Sequence, residues 1–176
     1  MILTGTQILE NLNKNIFIDP FEPTQLNPNS YNVRLANKLL VYDNDILDMK
    51  QKNPYHLIEI PEEGLTIQPG KLYLGRTVER TATNGFVPML EGRSSVGRLG
   101  ISIHETAGFG DIGFCGYWTL EISCIQPVRI YPNVEIGQVY YHKIDADWYD
   151  TYTSGKYQNN HDIQPSMMWM DFEEKG

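Results

Sequence analysis

The chain has 176 residues, 41% of them hydrophobic, and a formal net charge of −8. This length suits one domain with a real core and is short for two. The acidic balance, with no long Lys/Arg run, leaves no footprint for polymeric nucleic acid, and no apolar run approaches a membrane span.

The start, Met1-Ile2-Leu3-Thr4-Gly5, lacks the charged and apolar stretches of a signal peptide, so a cytoplasmic protein is expected. Thr4 or Thr6 is placed to cap a short helix through Ile8, Leu9 and Leu12 that ends near Asn13-Lys14-Asn15. Strand signals then dominate. Ile16 to Ile18 is closed by Pro20, and the turn Asn27-Pro28-Asn29-Ser30 leads into Tyr31 to Leu35. Leu39 to Tyr42, Leu57 to Ile60, Leu72 to Val78, Val87 to Leu90 and Ile101 to His104 follow. From Tyr117 to Ile125 the period is two: Trp118, Leu120, Ile122 and Cys124 on one face, Tyr117, Thr119, Glu121 and Ser123 on the other. Val128 to Tyr131 and Ile136 to His142 complete the set. Many short strands between Gly, Pro and Asn turns predict an all-β sandwich or barrel-like domain. The two cysteines, Cys115 and Cys124, read as reduced core thiols, with a disulfide between them as the alternative. After about Asp145 the periodicity fades, yet Tyr149, Tyr152, Tyr157, Trp169 and Phe172 persist, so the tail is expected to dock on its own domain or on a neighbour.

Chemistry concentrates between residues 91 and 121. Glu91-Gly92-Arg93-Ser94-Ser95-Val96-Gly97-Arg98-Leu99-Gly100 combines two arginines, two serines and a glycine-rich turn. Guanidinium forks, hydroxyls and turn amides suit phosphate oxygens. The segment is not a Walker loop, since no Gly-Lys-Ser/Thr ending is present. Serines and glycines are also ordinary turn residues, and either arginine has a plain reading as a surface ion-pair partner. Glu121 stands between Leu120 and Ile122, and is either an exposed strand residue or a partly buried general acid or base. Asp111, in Gly110-Asp111-Ile112-Gly113, is either a turn residue or a holder of water. Two carboxylates in different settings suit proton transfer. His104-Glu105 lacks the second histidine of a zinc protease, residue 108 being glycine. The cysteine spacing does not match the zinc deaminases either, so a deamination here would activate water without zinc.

These stretches resemble a family. Glu91 to Gly100, His104 to Gly116, Thr119-Leu120-Glu121, Gly155-Lys156-Tyr157-Gln158, Asn29 to Leu35 and Ile136-Gly137-Gln138 are similar, in order, to the dCTP deaminases of the trimeric dUTPase superfamily. The resemblance implies a dUTPase-like distorted barrel or jelly roll over residues 1–145 with a short N-terminal helix. Residues 146–176 would form an irregular tail or lid over the active site. It implies a homotrimer with sites between subunits, dCTP or dUTP as substrate, dTTP as a candidate inhibitor, and Mg²⁺ held through the triphosphate and water rather than directly by protein.

By position, the resemblance makes Glu121 the general base and acid for water attacking cytosine C4, with Ser94 and Arg98 beside the phosphate and the water. Arg93 and Ser95 join them in binding. Ala107 reads the base through its backbone, and Phe114 lies under the deoxyribose. Gln138 is the barrel glutamine, and Tyr152 and Lys156 close over the triphosphate. Asn160 falls where a phosphate-contacting glutamine is expected, with Gln158 nearby. Asp111 matches the aspartate that activates water against the α-phosphate. Gly108-Phe109, where strict deaminases carry His-Arg, resembles the dUMP-forming members that perform both hydrolyses. A dUTP-forming deaminase, a plain dUTPase and a non-catalytic nucleotide-binding regulator are the alternatives. Asn32 in place of an aspartate and Glu105 in place of a small apolar residue depart from the pattern.

Overall fold

The computed structural model describes residues 1–145 and 150–173. Tyr149, counted above among the tail aromatics, lies outside the described residues. In chain order the elements are α1 (Gly5–Asn11), β1 (Ile16–Asp19), β2 (Tyr31–Arg34), β3 (Lys38–Tyr42), β4 (Tyr55–Glu59), β5 (Leu65–Ile67), β6 (Tyr73–Thr83), β7 (Phe86–Gly92), α2 (Ser94–Gly97), β8 (Ile101–Ser102), β9 (Cys115–Cys124), β10 (Val128–Ile130) and β11 (Glu135–Lys143). Two 3₁₀ turns, Pro23–Gln25 and Met168–Phe172, were not signalled by the sequence pattern.

Thr4, rather than Thr6, caps α1 through a capping box: its hydroxyl accepts the Gln7 N–H at 3.3 Å, and the Gln7 side chain accepts the Thr4 N–H at 2.9 Å. The strands form an all-β distorted barrel. One sheet has the order β4-β3-β6-β9-β8 with β1 added to β6, a second β2-β11-β7, and a third pairs β10 with β5. Neighbouring strands run antiparallel throughout. The common core includes Ile8, Tyr31, Leu39, Leu90, Leu120 and Tyr141. Burying a side chain such as Leu120, which is 0% exposed, contributes on the order of 2 kcal/mol.

β9 carries the site, and its burial alternates without a break: Trp118, Leu120, Ile122 and Cys124 turn inward, and Tyr117, Thr119, Glu121 and Ser123 stay half-buried on the other face. Both cysteines are free, but only Cys124 is buried; Cys115 is half-buried, so the expectation of two core thiols holds for one. Burial pushes the Cys124 thiol up from its ordinary value. The β6–β9 register slips between Arg76 and Arg80. There the Thr77 hydroxyl accepts the Trp118 N–H at 3.1 Å and donates to the Glu79 carbonyl at 2.7 Å, satisfying groups that the slip leaves unpaired.

The tail packs on its own domain. Ile163 joins Leu40 and Leu74 in a small second cluster, and Asp162 pairs with Arg76 at 3.0 Å while the Arg76 guanidinium lies 4.2 Å over the Tyr117 ring. No helix among the described residues is long and apolar enough to cross a membrane.

Candidate active site

The outward face of β9 opens onto a cavity of about 590 Å³. Ala107, Asp111, Phe114, Glu121, Tyr152 and Asn160 line it, six of the residues singled out from sequence. Glu121 is placed by the strand and by the segment before it. Its N–H donates to the Ile103 carbonyl at 2.8 Å, continuing the short β8–β9 ladder. Its Oε2 accepts the Glu105 N–H at 3.0 Å. Glu105 turns its own carboxylate to Ser123, whose hydroxyl donates to it at 2.7 Å. A half-buried carboxylate with one oxygen anchored and a cavity before it can hold water and move a proton.

Asp111 opens a tight turn in which its carbonyl accepts the Phe114 N–H at 3.1 Å. Gly113 takes φ +86°, as a type II turn requires at its third residue. This agrees with the turn reading of the sequence, and the turn also puts the Asp111 side chain on the cavity wall. The Phe114 ring stands 5.3 Å from Trp118 and 6.5 Å from Tyr152, giving one flank of the cavity a flat aromatic surface.

Tail residues of the same chain line the cavity. Gln164 donates its N–H to the Thr119 hydroxyl at 3.1 Å, and Ser166 donates its own to the Tyr42 hydroxyl at 2.9 Å. Burial pushes the Tyr42 hydroxyl up from its ordinary value, and the negative charge of Glu121 adds to the shift. Gln158 accepts the Cys115 N–H at 2.9 Å and donates to the Gly113 and Tyr152 carbonyls, each at 2.7 Å. Asn160 is bound to the backbone of Tyr117. Lys156 sits with Asp171.

A second group of residues lies elsewhere on the chain. The glycine-rich turn read from the sequence contains the single helical turn α2; Ser94 and Ser95 on it, and Arg98 just after it, are exposed. Arg98 has no ion-pair partner among the described residues, whereas Arg93 pairs with Glu135 at 2.8 Å. Glu135 also accepts the Asn32 amide at 2.8 Å, and Gln138 accepts the Ser30 hydroxyl at 2.8 Å. None of Arg93, Ser94, Ser95, Arg98 and Gln138 lines the Glu121 cavity.

Tyr42, Thr119, Tyr157 and Gln164 line the cavity without having been singled out as site residues. Thr119 was within reach, since the period of two puts it on the face of Glu121. Tyr42 and Gln164 carry no local signal, because β3 and the tail meet β9 only through the tertiary fold.

A family model described as dCTP deaminase-like matches residues 2–144. Two proteins named "dCTP deaminase, dUMP-forming", from Hathewaya histolytica and Clostridium beijerinckii, are each 66% identical over 173 residues, 98% of this chain and 100% and 99% of theirs. The crystal structure of 2′-deoxycytidine 5′-triphosphate deaminase from Agrobacterium tumefaciens has a similar fold, with a TM-score of 0.62 at 20% identity over 80% of this chain. This chain spans about half of that longer one, 47% of its length. With the family model covering most of its length and near-full-length relatives at this identity, the chain belongs to the dCTP deaminase-like family.

Proposed function

We propose that the protein removes the 4-amino group of dCTP and carries the product on to dUMP. The observation that carries this reading is Glu121, set in the wall of a cavity with one carboxylate oxygen anchored and an aromatic flank nearby. The names of the near-full-length relatives supply the substrate and product. Two waters enter. In the first step water adds at C4 and ammonia leaves, so dCTP and water give dUTP and ammonia. In the second, water attacks the α-phosphorus and the bond to the β-phosphate oxygen breaks, so dUTP and water give dUMP and diphosphate.

Glu121 takes the proton of the first water and delivers protons to the ring and the departing amine. Asp111 serves the second water from the same cavity wall. Ala107 reads the base through its backbone, and Phe114 presents a flat ring to the deoxyribose that leaves poor room for a 2′-hydroxyl. Tyr152 and Lys156 close over the triphosphate, Lys156 exchanging Asp171 for phosphate. Gln158 and Asn160 contribute to binding by fastening the tail that carries these groups, since backbone partners occupy their amides.

The exposed Ser94, Ser95 and Arg98, with Arg93 and Gln138 behind them, complete the cavity of a neighbouring subunit in a homotrimer. An unpaired guanidinium facing outward suits a triphosphate brought by another chain. Among the described residues no group of three or more His, Cys, Asp or Glu side chains is placed to hold a metal ion. The reading places Mg²⁺ on the triphosphate and water, where it would offset phosphate charge. dTTP, which shares the sugar and triphosphate, is the expected competitor. The acidic chain is read as cytoplasmic.

Incubation with dCTP and, separately, with dUTP tests the reading, with ammonia and diphosphate measured independently. Equal ammonia and diphosphate from dCTP, and diphosphate from dUTP, are expected. Ammonia alone would remove the second hydrolysis, diphosphate from dUTP alone would leave a dUTPase, and neither product would leave a nucleotide-binding protein without turnover.

A further inference from the structure

Glu105 is a carboxylate beside the site that the proposed chemistry does not use. It lines the Glu121 cavity, yet its carboxylate is engaged by Ser123 rather than turned to a ligand. Ser123 lies two residues beyond Glu121 on the same face of β9. The β8–β9 ladder runs from Ile101 opposite Cys124 to Ser102 opposite Ser123, and ends where Glu121 donates to the Ile103 carbonyl. Beyond Ile103 the backbone leaves the ladder, and the Glu105 N–H must still reach the Glu121 Oε2 at 3.0 Å. The 2.7 Å bond from the Ser123 hydroxyl to the Glu105 Oε1 fixes residue 105 at that point.

Resting on the deaminase reading, we infer that Glu105 and Ser123 form a side-chain clip that positions the Glu121 carboxylate for deamination. The clip acts through one backbone donor: Ser123 holds Glu105, and the amide of Glu105 aims Glu121. A carboxylate held by one oxygen keeps the other toward the cavity; released, it samples rotamers that place neither oxygen on the reacting water. Asp111 is outside this device. The segment before it is tied independently to β7, with the Leu90 N–H donating to the Gly108 carbonyl at 2.7 Å and the Gly110 N–H to the Pro88 carbonyl at 2.9 Å. The clip therefore serves one of the two hydrolyses.

The test compares kcat and KM for ammonia release from dCTP, and diphosphate release from dUTP, in wild type, Ser123→Ala, Glu105→Ala, the double variant and Glu105→Gln. Both alanine variants are expected to lose about tenfold in kcat for ammonia, with KM for dCTP and diphosphate release from dUTP within about twofold of wild type. The double variant is expected to lose no more than either single one, because both act through the same amide. Glu105→Gln, whose amide oxygen still accepts from Ser123, is expected to rescue kcat to within about threefold. Wild-type kcat in both alanine variants, additive losses, equal loss of diphosphate release, or failure of Glu105→Gln to rescue would each overturn the clip while leaving the deaminase reading intact. Wild-type protein that releases no ammonia would overturn both.

Discussion

Asn160 holds Tyr117 by both of its backbone groups: its Oδ1 accepts the Tyr117 N–H at 2.7 Å, and its Nδ2 donates to the Tyr117 carbonyl at 2.9 Å. A side-chain amide thereby takes the place of a neighbouring strand along the edge of β9. Asn160 is 8% exposed and fastens the tail four residues short of Gln164, which bonds Thr119. Asn160→Ala leaves two backbone groups of β9 without partners and loosens the cavity roof. We expect a stability loss of about 1–3 kcal/mol and a rise in KM for dCTP of about tenfold, with kcat less affected. Denaturant unfolding together with steady-state kinetics checks this; an unchanged KM would mean that the tail does not roof the nucleotide.

The two carboxylates on the cavity wall are assigned different waters, so their amide variants are expected to separate the two chemistries. Glu121→Gln should lower ammonia release by about 10²–10⁴-fold while nucleotide binding survives. Asp111→Asn should lower diphosphate release from dUTP more severely than ammonia release from dCTP. Product-resolved assays with calorimetric binding of dCTP decide. Normal ammonia release by Glu121→Gln would remove that residue from the mechanism, and equal losses in Asp111→Asn would mean that the two steps are not divided by residue.

How far the site was legible depended on where its contacts lie in the chain. The face of Glu121 follows from a strict alternation within one strand, and Thr4 and Gln7 form their cap across a single turn, so local reasoning sufficed. The carboxylate of Glu79 was invisible. It is 0% exposed and is satisfied by Arg34 at 2.7 Å and Gln25 at 3.0 Å, partners 45 and 54 residues away. β5 spans three residues, too few for alternation to register, and α2 is one helical turn long beside glycines that read only as a turn. The tail's route had no periodic signal at all, because side chains such as Gln158 and Asn160, not a ladder, hold it to β9.

At Gly108 the backbone runs too close to its neighbour to leave room for a side chain. A Cβ there would stand 2.4 Å from the Leu90 carbonyl oxygen, a backbone atom that cannot swing aside. Gly108→Ala must therefore lift the segment that carries Ala107 on one side and Asp111 on the other. Both ammonia and diphosphate release are expected to fall at least about tenfold, with about 1–3 kcal/mol lost in stability. The contrast with the selective Asp111→Asn is the readout: a Gly108→Ala enzyme that loses only one product would show that the segment does not move as a unit.

The exposed Arg98, just after α2, gives the subunit arrangement a sharp test. Glu121→Gln and Arg98→Ala should each be inactive as homotrimers. If a cavity takes Glu121 from one chain and Arg98 from the next, every trimer that contains both variants rebuilds one of its sites, about one third of the total. Co-expression with two affinity tags, followed by ammonia assay of the doubly purified fraction, measures this. No recovery in verified mixed trimers would place both residues in the site of a single chain.

Burial also sets the alkaline limit of the fold. It pushes the hydroxyls of Tyr31, Tyr42 and Tyr141 up from their ordinary value. Above about pH 10 the tyrosines of the unfolded chain ionise while these remain protonated in the folded one, so the unfolded state binds fewer protons and stability falls as pH rises. The contribution is complete below that pH and is lost as pH climbs through the raised folded values. Tyr141 isolates the effect, because its hydroxyl is buried without a hydrogen-bond partner among the described residues. Tyr141→Phe removes no bond and relieves a desolvated polar atom. Stability at pH 7 should be unchanged or higher by up to about 1 kcal/mol, and its decline above pH 10 should be shallower. Urea midpoints at pH 7 and pH 10.5 check both limbs. A variant clearly weaker at pH 7 would show that the hydroxyl, wholly buried within its own chain, makes a bond in the folded protein, with an enclosed water as its partner.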